Sequence, residues 1–174
     1  MKAISVIAVI TLILALQSFA WKDTDFYMQH KSTWEKSRET TLAVANAMPE
    51  EKYDYTPDGE VRTFGAQILH LAYSNQFIID VFLNGKQVKF EDLDAAKLSK
   101  KEIIKYLNES YDHVMEAMKK IKKSELNEMV NIGGGRQISK AEVFDFMRDH
   151  VTNHRAKANL YIRLNKIKPP AYAF

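Results

Sequence analysis

The sequence predicts an all-α fold, a four-helix bundle preceded by an N-terminal signal peptide, and three observations carry that expectation. Four stretches of roughly twenty residues repeat apolar side chains at helical spacing. Two of them open on Ser-x-x-Glu, at Ser99 with Glu102 and at Ser139 with Glu142. In that pattern a serine and a glutamate reciprocally satisfy the free amides of a helix start. Six glycines and four prolines among 174 residues are few for the many turns of a β-sandwich.

The first stretch runs from Thr24 to Ala47, with Phe26, His30, Trp34, Thr41, Ala45 and Met48 in one row, and Pro49 ends it. The polar run that follows, as far as Gly59, reads as a loop. Thr63 is placed to cap the second helix, from Phe64 to Leu83, where Phe64, Ile68, Leu71, Ile78 and Phe82 line one side before Asn84-Gly85 stops it. From Ser99 the third aligns Ile103, Leu107, Tyr111, Val114, Met118 and Ile121. Beyond Lys123 the periodicity lapses, and Gly133-Gly134-Gly135 marks a flexible connector whose spacing fits neither a Walker loop nor a dinucleotide fingerprint. The last helix, from Ser139 to near Asn165, turns Val143, Phe146, Met147, His150, His154, Ala158 and Tyr161 inward and stops before Pro169-Pro170.

Residues 1–20 form a separate object. Lys2 supplies a positive start, Ile4 to Leu16 is unbroken apolar sequence, and Ser18-Phe19-Ala20 offers small residues at a cleavage position. A signal peptide over 1–20 leaves residues 21–174 as one exported domain, periplasmic or secreted. An uncleaved membrane anchor is the alternative, because the uncharged run is just long enough to span a bilayer; after cleavage no stable membrane association is expected. The absence of cysteine excludes thiolate nucleophiles, thiolate-bound zinc and disulfides. A net charge of +3, from 25 basic and 22 acidic residues mixed along the chain, gives no footprint for nucleic acid.

Five histidines, at 30, 70, 113, 150 and 154, carry the chemistry. His150 and His154 stand one helical turn apart on the apolar stripe of the last helix, so both rings can reach one ion. An imidazole buried there without a partner is costly. His70, between Leu69 and Leu71 in mid-helix, is the first candidate for a third nitrogen, and His30, in register with Phe26 and Trp34, the second. His113 falls toward the polar side of its helix and reads as a surface residue.

The run Asp149-His150-Val-Thr-Asn-His154-Arg155-Ala156-Lys157, followed by Tyr161-Ile162-Arg163 and Pro169-Pro170, resembles the end of the bacterial DinB family, with its His-x-x-x-His-Arg-Gly-Gln run, Tyr-Leu-Arg run and closing Pro-Pro. Thr63 to Leu71 resembles the family's second helix, and Met48 to Tyr55 the loop before it. The resemblance implies a DinB-like four-helix bundle holding a divalent metal through His70, His150 and His154. It also implies a metal-dependent hydrolase, or a relative that transfers small thiols. Ala156-Lys157 departs from Gly-Gln at positions after the ligands, which bears on substrate contacts more than on the metal.

Three neutral imidazoles leave coordination positions open, the mark of a catalytic rather than a closed site. Zinc suits this set first, with nickel, iron and manganese compatible by ligand type. No strong general base accompanies the set: Gln67 and Ser74 flank His70 by one turn, His30 depends on helix packing, and Asp149 is rotated about 100° from His150. Trp34, Tyr73 and Tyr161 are candidates for cavity lining or for plain core. The expected function is an exported metal-dependent hydrolase of a small molecule, with a metal-dependent thiol transferase or a non-catalytic metal or ligand binder as alternatives and a homodimer left open. Export favours hydrolysis, since small thiols are scarce or oxidised outside the cytosol.

Overall fold

The computed structural model describes residues 25–91 and 93–171; the expected signal peptide over 1–20 lies outside them. Four long helices dominate: α1 (Phe26–Ala47), α2 (Phe64–Ile78), α3 (Lys100–Lys120) and α4 (Lys140–Leu164). Among the described residues no helix is long and apolar enough to cross a membrane.

Each start is fixed by a side chain. Asp25 accepts from the Tyr27 amide at α1, Thr63 from Ala66 at α2, and Ser99 and Ser139 head the two capping boxes expected at α3 and α4. At the far end of α1 the Lys100 ammonium donates to the carbonyls of Asn46 and Met48, at 2.9 and 2.7 Å. Carbonyls that the helix leaves open are thereby satisfied from a neighbouring helix.

Two elements depart from the expectation. The second helix does not run to Leu83 as an α-helix: it ends at Ile78 and continues as a π-helical turn over Ile79–Leu83. The Asn84 amide reaches back five residues to the Ile79 carbonyl at 3.0 Å. The stretch after Lys123 is not a featureless connector. Met129–Asn131 (β1) and Gln137–Ser139 (β2) pair antiparallel, with Val130 opposite Ile138. The three glycines form the hairpin's turn, all at positive φ (99°, 60° and 77°), where glycine is free of the Cβ clash that other residues meet.

The helices close in the ring order α1, α3, α2, α4, so that consecutive α1 and α2 lie across the diagonal, as do α3 and α4. The core between them holds Trp34, Met48, Phe64, Ile68, Leu69, Leu71, Ile103, Leu107, Tyr111, Met118, Phe144 and Met147. On α4 the inward face differs slightly from the expected row. Phe144, Val151 and Ile162 are buried, whereas Phe146 and His150 sit half-buried at its flank. Trp34 packs edge-on against Tyr111 at 6.1 Å and belongs to the core, as does the buried Tyr161, which meets the ring of Tyr55 at 6.1 Å.

A buried polar cluster ties α1, α3 and α4 together. The Arg155 guanidinium donates to the hydroxyls of Ser37 and Thr41 at 3.3 and 3.2 Å. The Tyr111 hydroxyl lies 3.2 and 2.9 Å from the same two oxygens. Arg155 is 7% exposed, and a buried cation of this kind needs such partners.

Candidate metal centre

His70 comes from the middle of α2 and His150 and His154 from one face of α4, and the seam between these neighbouring helices brings the three rings together. Ring centroids lie 5.3 Å apart for His70–His150, 4.6 Å for His70–His154 and 4.2 Å for His150–His154. One nitrogen from each falls within 4.8 Å of the others. A first-row ion holds its histidine nitrogens about 2 Å away, so small turns of the rings suffice for all three to share one.

The donor chemistry fits a divalent cation. Burial holds His150 down to about 4, with His70 as the next influence, and holds His154 down to about 3, with His150, His70, Lys157 and Arg62 adding to the effect. Both imidazoles are therefore neutral at pH 7, the form that has a lone pair to give. The Nδ1 of His150 is buried with no hydrogen-bond partner among the described residues. The Nδ1 of His154 meets the side-chain amide of Gln67. Gln67, one turn before His70 on α2, is itself buried at 3% exposure. A partner on one ring nitrogen can fix which of the two carries the proton.

The other sequence candidates fall elsewhere. His30 stacks on Phe26 at 4.4 Å and stands apart from the three-histidine cluster. The Nε2 of His113 lies 3.5 Å from the carboxylate of Asp80 in the π turn that follows α2, well beyond His70. Ser74 is buried, and Asp149 is exposed on the outer face of α4. Tyr73 joins the site's margin through Phe90, which carries no signal in the sequence because its loop shows no periodicity. Phe90 stands edge-on to His70 at 5.6 Å and to Tyr73 at 5.0 Å.

A helical bundle with an open cluster of three histidines across one helix seam defines a class of candidate metal-binding bundle proteins. Within that class the match is specific: the pattern of the DinB superfamily covers residues 33–158, and the chain belongs to that superfamily. Its fold is shared by solved structures. A DinB-like protein from Bacillus cereus superposes with a TM-score of 0.68 at 16% identity, over 84% of this chain and 95% of that one. A DinB-like protein from Bacillus subtilis does so with 0.63 at 15%, over 83% and 97%. A conserved protein from Enterococcus faecalis gives 0.65 at 16%, over 79% and 95%. No curated protein matches the chain.

Proposed function

We propose that the protein binds one divalent metal ion through His70, His150 and His154 and acts with it as a metal-dependent hydrolase on a small molecule. The observation that carries the reading is the convergence of three nitrogens from two helices within 4.8 Å, with no carboxylate in the group. Three neutral ligands leave the ion its full charge and part of its coordination sphere. When bound, such an ion supplies Lewis acidity and lowers the pKa of water toward about 7. The chain's own residues supply the rest: α2 and α4 hold the rings, burial keeps His150 and His154 unprotonated, and Gln67 orients His154. Zinc is the first candidate by ligand type. We also propose that the protein is exported, on the strength of Lys2, the apolar run Ile4 to Leu16 and the small residues at its end.

Purified protein should carry about one equivalent of a divalent ion, the stoichiometry of a single three-nitrogen site. His150→Ala and His154→Ala should abolish binding while the helical circular dichroism persists. Full metal content in both variants would refute the ligand set. Metal-loaded protein is then assayed against esters, amides and electrophiles, each with and without small thiols. Turnover that needs no thiol is the expected result. Turnover only with a thiol would make the protein a thiol transferase, and none across the panel a non-catalytic binder.

A further inference from the structure

The three-histidine cluster is bounded on one side by aromatic surface. Phe90, in the connection between α2 and α3, contacts His70 edge-on at 5.6 Å and stands 5.0 Å from each of Tyr73 and Phe77. Tyr73 and Phe77 follow His70 by three and seven positions on α2, the spacing that keeps side chains on one helix face. The connection is anchored here as well, since the Tyr73 hydroxyl donates to the Lys89 carbonyl at 3.5 Å. Packing the loop down does not use up this surface. Phe90 keeps 36% exposure, and Val88 and Leu93 on either side of it keep 44% and 40%.

Apolar surface left open beside a few convergent polar groups is the usual make-up of a small-molecule site. With the Phe90 ring 5.6 Å from that of His70, an apolar group held beside that ligand is within reach of it. We propose that the site accepts a substrate with an aryl or bulky alkyl group next to its metal-coordinating atoms, and that Phe90, backed by Tyr73 and Phe77, is the surface that group packs against. The inference rests on the reading of the cluster as an ion site and adds the substrate's apolar part to it.

The test uses the protein loaded with Co²⁺, whose visible absorption reports both ion binding and a further ligand joining the ion. Acetohydroxamate and benzohydroxamate present the same coordinating atoms, and the second adds one phenyl ring. Benzohydroxamate should bind about tenfold tighter or more, the gain expected from covering most of a phenyl ring. Phe90→Ala should bring the two within about threefold, with benzohydroxamate losing the larger share, and Phe90→Leu should keep most of the preference. Equal affinities in the unaltered protein with Co²⁺ bound would overturn this inference alone. Failure of Co²⁺ to bind would overturn it together with the ion site.

Discussion

At His154 two demands meet on one imidazole: burial keeps the ring neutral, and the Gln67 amide sits against its Nδ1. The amide nitrogen is the atom placed there; with the amide turned end for end, as its near-symmetric shape allows, the Gln67 oxygen accepts the Nδ1 proton and leaves Nε2 a lone pair. Gln67→Leu should therefore weaken metal binding about 10- to 100-fold, the usual effect of removing such a partner, and Gln67→Glu should restore most of it. Metal titration against a competing chelator measures both. Unchanged affinity in the leucine variant would leave Gln67 a plain core residue. A second residue-scale expectation concerns the hydroxyl cluster. Tyr111→Phe removes one hydroxyl but leaves Ser37 and Thr41 to Arg155, so it should cost only about 1 kcal/mol in urea unfolding. The i,i+4 pair His150 and His154 was legible in the sequence because one helix sets its own spacing. The partner of Gln67 was not, because its contact crosses from α2 to α4 and depends on how two helices are rotated against each other.

The helices were legible for a related reason: caps and apolar rows are local, and Thr63, Ser99 and Ser139 all start helices where their residue types predict. What escaped were elements whose signal is short or ambiguous. Strands of three residues carry too little alternation to be told from a loop. The π turn over Ile79–Leu83 changes only the hydrogen-bond reach of a helix that already looked helical. At Gly65 the sequence shows only a glycine near a helix start, and the structure gives its reason. The Gly65 amide donates to the Tyr53 carbonyl at 2.7 Å. A Cβ there would stand 3.1 Å from that oxygen, 3.1 Å from the Tyr53 ring and 3.3 Å from Ile103. Gly65→Ala should thus destabilise the fold by about 1–3 kcal/mol, as overpacking does, because backbone on one side and a core side chain on the other both have to give. A thermal midpoint equal to that of the unaltered protein would contradict this.

For the molecule as a whole, the neutral histidines impose a pH dependence. His150 and His154 titrate near 4 and 3 in the folded protein against an ordinary 6.5. As pH falls through 6.5 the unfolded chain therefore takes up protons that the folded chain refuses. The ion-free protein should keep its full stability above about pH 6.5 and lose it progressively down to about 4 for His150 and 3 for His154. Urea midpoints at stepped pH should show that decline, and the double variant His150→Ala/His154→Ala should show a flatter one; equal slopes would mean that other groups drive it. The ring order has a mechanical side too. His70 and His150 lie on α2 and α4, neighbours in space but roughly 80 residues apart along the chain. An ion held between them would join two distant parts of the chain in one that has no cysteine to form a disulfide. Neither helix could then peel away alone without surrendering the ion, so α2 and α4 would exchange their amide hydrogens as one cooperative unit. Removing the ion would let the end of α4 open separately, a seam unstitched while the rest of the bundle stays closed.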